Sequence, residues 1–97
     1  RCLAVMLRSP RNEYKAEALN NAGVTYTAAG LARWSIEFHH EALVAAQRIS
    51  CPYEKARALD GLAAAHRSLG ELADEFAHRA KQLYTRLGAA EARRGNG

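Results

Sequence analysis

The sequence predicts an all-α fold, antiparallel helix pairs stacked into part of a superhelix, and three observations predict it. The first is a repeat. A shift of 40 residues lays Lys15, Ala16, Ala18, Leu19, Gly30 and Leu43 on Lys55, Ala56, Ala58, Leu59, Gly70 and Leu83. A period in that range marks supersecondary units that bury their faces by stacking. The second is periodicity: apolar residues recur at helical spacing, and no segment alternates with period two long enough to be a strand. The third is punctuation. Gly30 and Gly70 interrupt the apolar stripes so briefly that the flanking helices must be antiparallel neighbours. A closed four-helix bundle is the alternative, because two hairpins can also close on each other.

Taken in order, residues 1–8 carry Leu3, Met6 and Leu7 at helical spacing. They read as the last turns of a helix B whose start lies upstream, and residues 1–9 are assigned to a preceding repeat. Ser9-Pro10 then restarts the chain, with Ser as N-cap and Pro at the first helical position. The first repeat spans 10–50. Its first helix, 11–29, has the stripe Ala18, Leu19, Ala22, Tyr26 and Ala29 and ends at Gly30 in a left-handed cap. Its second, 32–49, has Ile36, Leu43, Ala46 and Ile49, with Ser35 and Ala42 as small neighbours.

The second repeat spans 51–88, and Ser50-Cys51-Pro52 at its boundary repeats the earlier Ser-Pro punctuation with one residue added. Glu54 follows in the first turn, where a carboxylate suits the helix dipole. The third helix, 52–69, carries Leu59, Leu62, Ala63, His66 and Leu69. The fourth, 72–87, carries Leu72, Phe76, Ala80, Leu83 and Leu87 and is closed by Gly88. Residues 89–97 read as a flexible tail.

The chain's 97 residues suffice for one small domain with a modest core. Hydrophobic residues make up 48%, a folded composition in which much of the apolar content is Ala. No apolar run is long enough to cross a membrane, and residues 1–7 do not make a signal peptide. The net charge of +4 is scattered among acids, with Arg93 and Arg94 at the tail, and forms no basic stripe of the kind a nucleic-acid face requires. Cys2 and Cys51 have no repeat relation. They read as reduced thiols, which points to a cytoplasmic protein.

The residues of the first repeat resemble the tetratricopeptide repeat, a helix A–turn–helix B unit. Leu19, Gly23, Tyr26, Gly30, Ser35, Ala42 and Leu43 follow that family's large–small–aromatic–turn–small–small–large order. Gly23, Ser35 and Ala42 are small so that the two helices approach closely. The 40-residue period, the phrase Ala18-Leu19-Asn20-Asn21-Ala22-Gly23 and the pair His39-His40 are similar to repeats in large actinobacterial transcription regulators of the antibiotic-regulatory and ATPase-linked types. The second repeat departs from the pattern: Glu75 and Gln82 stand where helix B should be small, and Arg79 replaces His39. Terminal repeats are atypical in this way, so residues 72–87 are placed near the end of the array.

The resemblance implies a non-catalytic scaffold that binds a protein or peptide on its concave face. That face consists of Glu17, Asn20, Val24, Thr27 and Ala28 on one helix A, and of Arg57, Asp60, Ala64, Arg67 and Ser68 on the next. The implied partners are a protein or peptide, or other domains of the same chain; nucleic acid and membrane are not expected. A helical nucleic-acid-binding module is the alternative, motivated by the positive charge.

Catalysis finds no constellation in the sequence. His39 and His40 with Glu37 and Glu41 are the most tempting cluster, but zinc needs three or four convergent ligands and only one pair shares a face. His39, His66 and His78 are assigned to packing or surface. Neither cysteine has a histidine placed to activate it, and no glycine-rich phosphate loop exists. Trp34 is expected to pack on a neighbouring helix. The expectation is therefore no enzyme, no metal and no cofactor.

Overall fold

The computed structural model describes the backbone of residues 10–96 and the side chains of residues 15–88. It contains four α-helices: α1 (Pro10–Ala28), α2 (Ala32–Arg48), α3 (Pro52–Ser68) and α4 (Asp74–Asn96). No strand occurs among the described residues. The expected half-helix at residues 1–9 lies outside them.

Each helix packs on the next in sequence, and α1 also packs directly on α3. No contact between α1 and α4 occurs among the described residues. A closed four-helix bundle would bring its first and last helices together, so the two hairpins are laid side by side instead. α3, which touches all three other helices, is the most buried element. Leu59 and Leu62 are wholly enclosed, and each such leucine contributes about 1.5–3 kcal/mol of burial. A second cluster forms around the α2–α3 turn from Ala16, Ala46, Ile49 and Cys51, with Tyr53 packed against it.

The turns explain the period. Gly30 and Gly70 take the left-handed conformation, at φ +81° and +75°, as their helix-end position predicts. Ser50 does the same at φ +52° without being a glycine. Each turn closes with the same hydrogen bond across five residues: Leu31 N–H donates to the Tyr26 carbonyl, Cys51 to Ala46, and Glu71 to His66. This is the Schellman closure. Gly30, Ser50 and Gly70 stand 20 residues apart, so each helix and its turn fill half the sequence period. Ser50→Gly removes the strain of a Cβ in the left-handed region, less the backbone entropy that glycine adds. It should raise stability by roughly 0.5 kcal/mol, about 2–4 °C in the melting midpoint, whereas Ser50→Val should lower it. A lower midpoint for the glycine variant would contradict this turn geometry.

Four expectations are corrected. The α4 helix starts at Asp74, and Leu72 is a turn residue with 92% of its surface exposed. Asp74 and Glu75 then occupy the first turn, where carboxylates complement the dipole. Gly88 does not end the helix. Its φ is not positive, and Ala89, Ala90, Glu91 and Ala92 are strong helix formers that carry the backbone on to Asn96. Trp34 is 58% exposed rather than packed. The inward stripe of α2 is Ala32, Ser35, His39, Ala42 and Ala46, and Trp34 points away from it. Cys51 is buried and disulfide-bonded, not a reduced thiol; the other cysteine in the sequence, Cys2, lies outside the described residues.

No helix among the described residues is long and apolar enough to cross a membrane.

Candidate functional site

The site begins with a helix face that local pattern misassigns. On α1 the buried positions are Ala16, Asn20 and Gly23, one step round from the apolar stripe, while Ala18 and Ala29 are exposed. Asn20, expected on the open concave face, has no exposed surface at all. Its amide is taken up by two other helices. Asn20 Nδ2 donates to the Glu54 backbone carbonyl at 3.0 Å and to Glu54 Oε1 at 3.1 Å. Asn20 Oδ1 lies 2.8 Å from His39 Nδ1. Because an amide oxygen only accepts, His39 carries its proton on Nδ1.

The network continues outward. Arg57 Nη1 donates to Glu54 Oε1 at 3.0 Å, and Arg57 Nη2 donates to Asn21 Oδ1 at 2.8 Å. A buried carboxylate is tolerated only with donors of this kind. Glu54, expected merely to favour the start of its helix, thus ties α1 to α3. Beside it, Ser35 Oγ donates to the Gly23 carbonyl at 2.7 Å, and Thr27 Oγ1 donates to Ser35 Oγ.

His39 is the wedge of the assembly. It projects from α2 between Gly23 of α1 and Gly61 of α3. A Cβ added at either glycine would fall on the imidazole ring, well inside van der Waals distance. Gly23 was legible as a close-contact point of two helices; Gly61 was not singled out, although a glycine inside a helix usually has a packing reason. The ring is 1% exposed, and its Nε2 has no hydrogen-bond partner among the described residues.

Burial lowers the His39 pKa from 6.5 to about 4, aided by Arg57 and His40 and opposed by Asp60. The sign of the pH dependence follows. Below about pH 6.5 the unfolded chain takes up a proton that the folded chain refuses, so stability falls as pH falls and levels off near pH 4, where the folded ring is protonated too. The slope from this one group is about 1.4 kcal/mol per pH unit. Denaturant melts from pH 7.5 to 4.5 should show that loss beginning near pH 6.5; stability flat from pH 7 to 5 would refute it.

Above this wedge lies a cavity of about 340 Å³, lined by Val24, Thr27 and Ala28 of α1, by His39 of α2, by Arg57, Asp60, Gly61 and Ala64 of α3, and by Tyr84 of α4. Six of the ten expected concave residues therefore converge on one cavity. Glu17 and Arg67 do not line it, nor does Ser68, and Asn20 lies buried beneath it. His39, Gly61 and Tyr84 are additions. Tyr84 comes from a helix B, outside the face the sequence assigned, and its ring meets Tyr53 edge-on at 6.5 Å. Burial, then the Asp60 carboxylate, raise its pKa above the usual tyrosine value, so its hydroxyl stays protonated at neutral pH. The cavity is chiefly apolar, with one cation–anion pair of residues, Arg57 and Asp60, in its lining.

Of the remaining histidines, His66 takes a structural place. His66 stacks on Phe76 with 5.4 Å between ring centres and donates from Nδ1 to Glu71 at 2.7 Å, across the α3–α4 turn. His40 and His78 are exposed. Among the described residues no three His, Cys, Asp or Glu side chains converge as metal ligands.

Comparison with family models, curated proteins and solved structures found no match to the chain.

Proposed function

We propose that the chain is a non-catalytic scaffold that binds an extended protein segment in the groove between α1 and α3. The observation that carries this reading is the single cavity shared by Val24, Thr27, Ala28, Arg57, Asp60 and Ala64. Val24 and Ala64 sit one repeat apart on α1 and α3, which pack directly on each other, so a segment lying across the groove meets both helices. The mixed charges of Arg57 and Asp60 suit a polar peptide better than a polyanion. A position within a larger transcription regulator rests on the resemblance to tetratricopeptide repeats alone. A cytoplasmic location loses its thiol argument, since Cys51 is disulfide-bonded.

The test uses peptides selected against the chain from a random display library. Ala64→Arg and Val24→Asp alter exposed groove positions and should weaken the selected peptides at least tenfold. Each should shift stability by no more than about 0.5 kcal/mol. Removal of residues 89–97 should leave binding intact. If that truncation abolished binding while both groove variants bound normally, the working surface would lie elsewhere.

A further inference from the structure

We propose that a phosphate monoester group is bound in a cleft between α3 and α4 that shares no lining residue with the groove. This cleft, of about 150 Å³, is lined by Lys55 and Leu59 of α3 and by Arg79, Gln82, Leu83 and Arg86 of α4. By helical period Lys55 and Leu59 stand on the side of α3 opposite Arg57, Asp60 and Ala64, so the two sites are separate. Three of the lining residues are cations, a fourth carries an amide donor, and none is an acid. Lys55 and Arg79 are half-buried and Gln82 and Arg86 are exposed, so none of the four is sealed from solvent.

The cations are uncommitted. The side chains of Lys55, Arg79 and Arg86 enter no ion pair or hydrogen bond among the described residues, whereas Arg57 is held by Glu54 and Asn21. From Phe76 to Ala90 α4 contains no acid, and Glu75, one turn before Arg79, does not line the cleft. The repeat register explains why this face is open. A shift of 40 residues lays Ser35, His39, Ala42 and Ala46, all buried on α2, on Glu75, Arg79, Gln82 and Arg86, none of them buried. α2 packs on both α1 and α3, but among the described residues α4 packs on α3 alone. Positions that receive a helix on α2 thus present charge on α4.

Size and charge select the ligand. The volume is below the roughly 300–1,000 Å³ of clefts that enclose a whole drug-sized ligand, so the site takes a group. A phosphate monoester brings close to two negative charges and three acceptor oxygens, which three cations and an amide can meet at once. The arginine fork also matches a phosphate edge. A carboxylate brings one charge and two oxygens. Nucleic acid needs a track of phosphate contacts, and Asp74, Glu75 and Glu91 flank this cluster along α4. An adjoining cleft adds His78, Lys81 and Thr85 beside Gln82 and Arg86, again without an acid. It gives the backbone of a phosphorylated segment a cation-bordered place to lie.

The probes are a short capped peptide with one phosphoserine and no other charge, the same peptide with glutamate in its place, inorganic phosphate, and a short DNA duplex. Each is titrated into the full 97-residue chain while the arginine Nε–H signals are followed by ¹H–¹⁵N NMR. The phosphopeptide should bind saturably and move the Arg79 and Arg86 signals with Arg57 little changed. It should bind at least about tenfold more tightly than the glutamate peptide, because it accepts more charge-assisted hydrogen bonds. Inorganic phosphate should move the same signals. A phosphopeptide that binds more tightly than inorganic phosphate assigns the site to a phosphorylated side chain and equal affinity assigns it to the free ion; either sustains the site. Arg79→Gln and Lys55→Gln should each weaken the phosphopeptide about tenfold without lowering the melting midpoint. Equal affinity for the phosphoserine and glutamate peptides, Arg79 and Arg86 signals that phosphate leaves unmoved, or a duplex bound more tightly than the phosphopeptide overturns the inference. Peptides selected for the groove should leave the Arg79 and Arg86 signals in place, so the groove and this site stand or fall separately.

Discussion

Gly61→Leu is expected to lower the stability of the fold by roughly 3 kcal/mol, the upper part of the range for overpacking a filled interior. Even the first carbon of the new side chain would collide with the His39 ring. The ring has no room to retreat, because Gly23 bounds it from α1 and its Nδ1 is held by Asn20 at 2.8 Å. Gly23→Leu should act in the same direction for the same reason. The sign is diagnostic. A glycine inside a solvated helix is a weak point, and Gly→Ala there stabilises by about 1 kcal/mol. Thermal melts of Gly61→Ala and Gly61→Leu should both fall, by about 4–8 °C for each kcal/mol. A rise in the alanine variant would mean that His39 is not wedged against α3.

The second large effect is at Asn20. Asn20→Leu conserves volume but removes the donor to Glu54 and the acceptor for His39. A buried carboxylate and a buried imidazole N–H are then left short of partners, at a cost of roughly 2–4 kcal/mol. An exposed asparagine would change stability by no more than about 0.5 kcal/mol. A double-mutant cycle with His39→Phe should show coupling of about 0.5–3 kcal/mol between the two positions. Additive effects would mean that the contact contributes nothing to the fold.

What the sequence showed and what it concealed divide along a physical line. Helix existence, the antiparallel turns and the left-handed glycines were legible because they depend on residues within a few positions of one another. Gly30 and Gly70 end their helices by backbone geometry alone. The 20-residue spacing was concealed because Ser50 takes the same conformation without the glycine that would announce it. The buried network was concealed more deeply. Asn20 reads as a surface residue since its partners are 19 and 34 positions away, on two other helices. Only stacking brings them together. Leu72 failed in the opposite sense: a leucine next to a helix reads as part of its stripe, yet the turn leaves it in solvent. Of the groove, the residues on α1 and α3 could be placed by repeat register. Tyr84 belongs to the helix B that register had set aside, and Gly61 has no side chain to suggest a role.

The central claim is that His39 joins the two hairpins as a wedge between α1 and α3, which leaves the groove above it open. Through-space proton NMR addresses this directly. The predicted result is a set of nuclear Overhauser contacts from the His39 ring protons to the α-protons of both Gly23 and Gly61, with none between α1 and α4. Contacts to Gly23 alone, accompanied by contacts between α1 and α4, would describe a closed bundle and contradict the account.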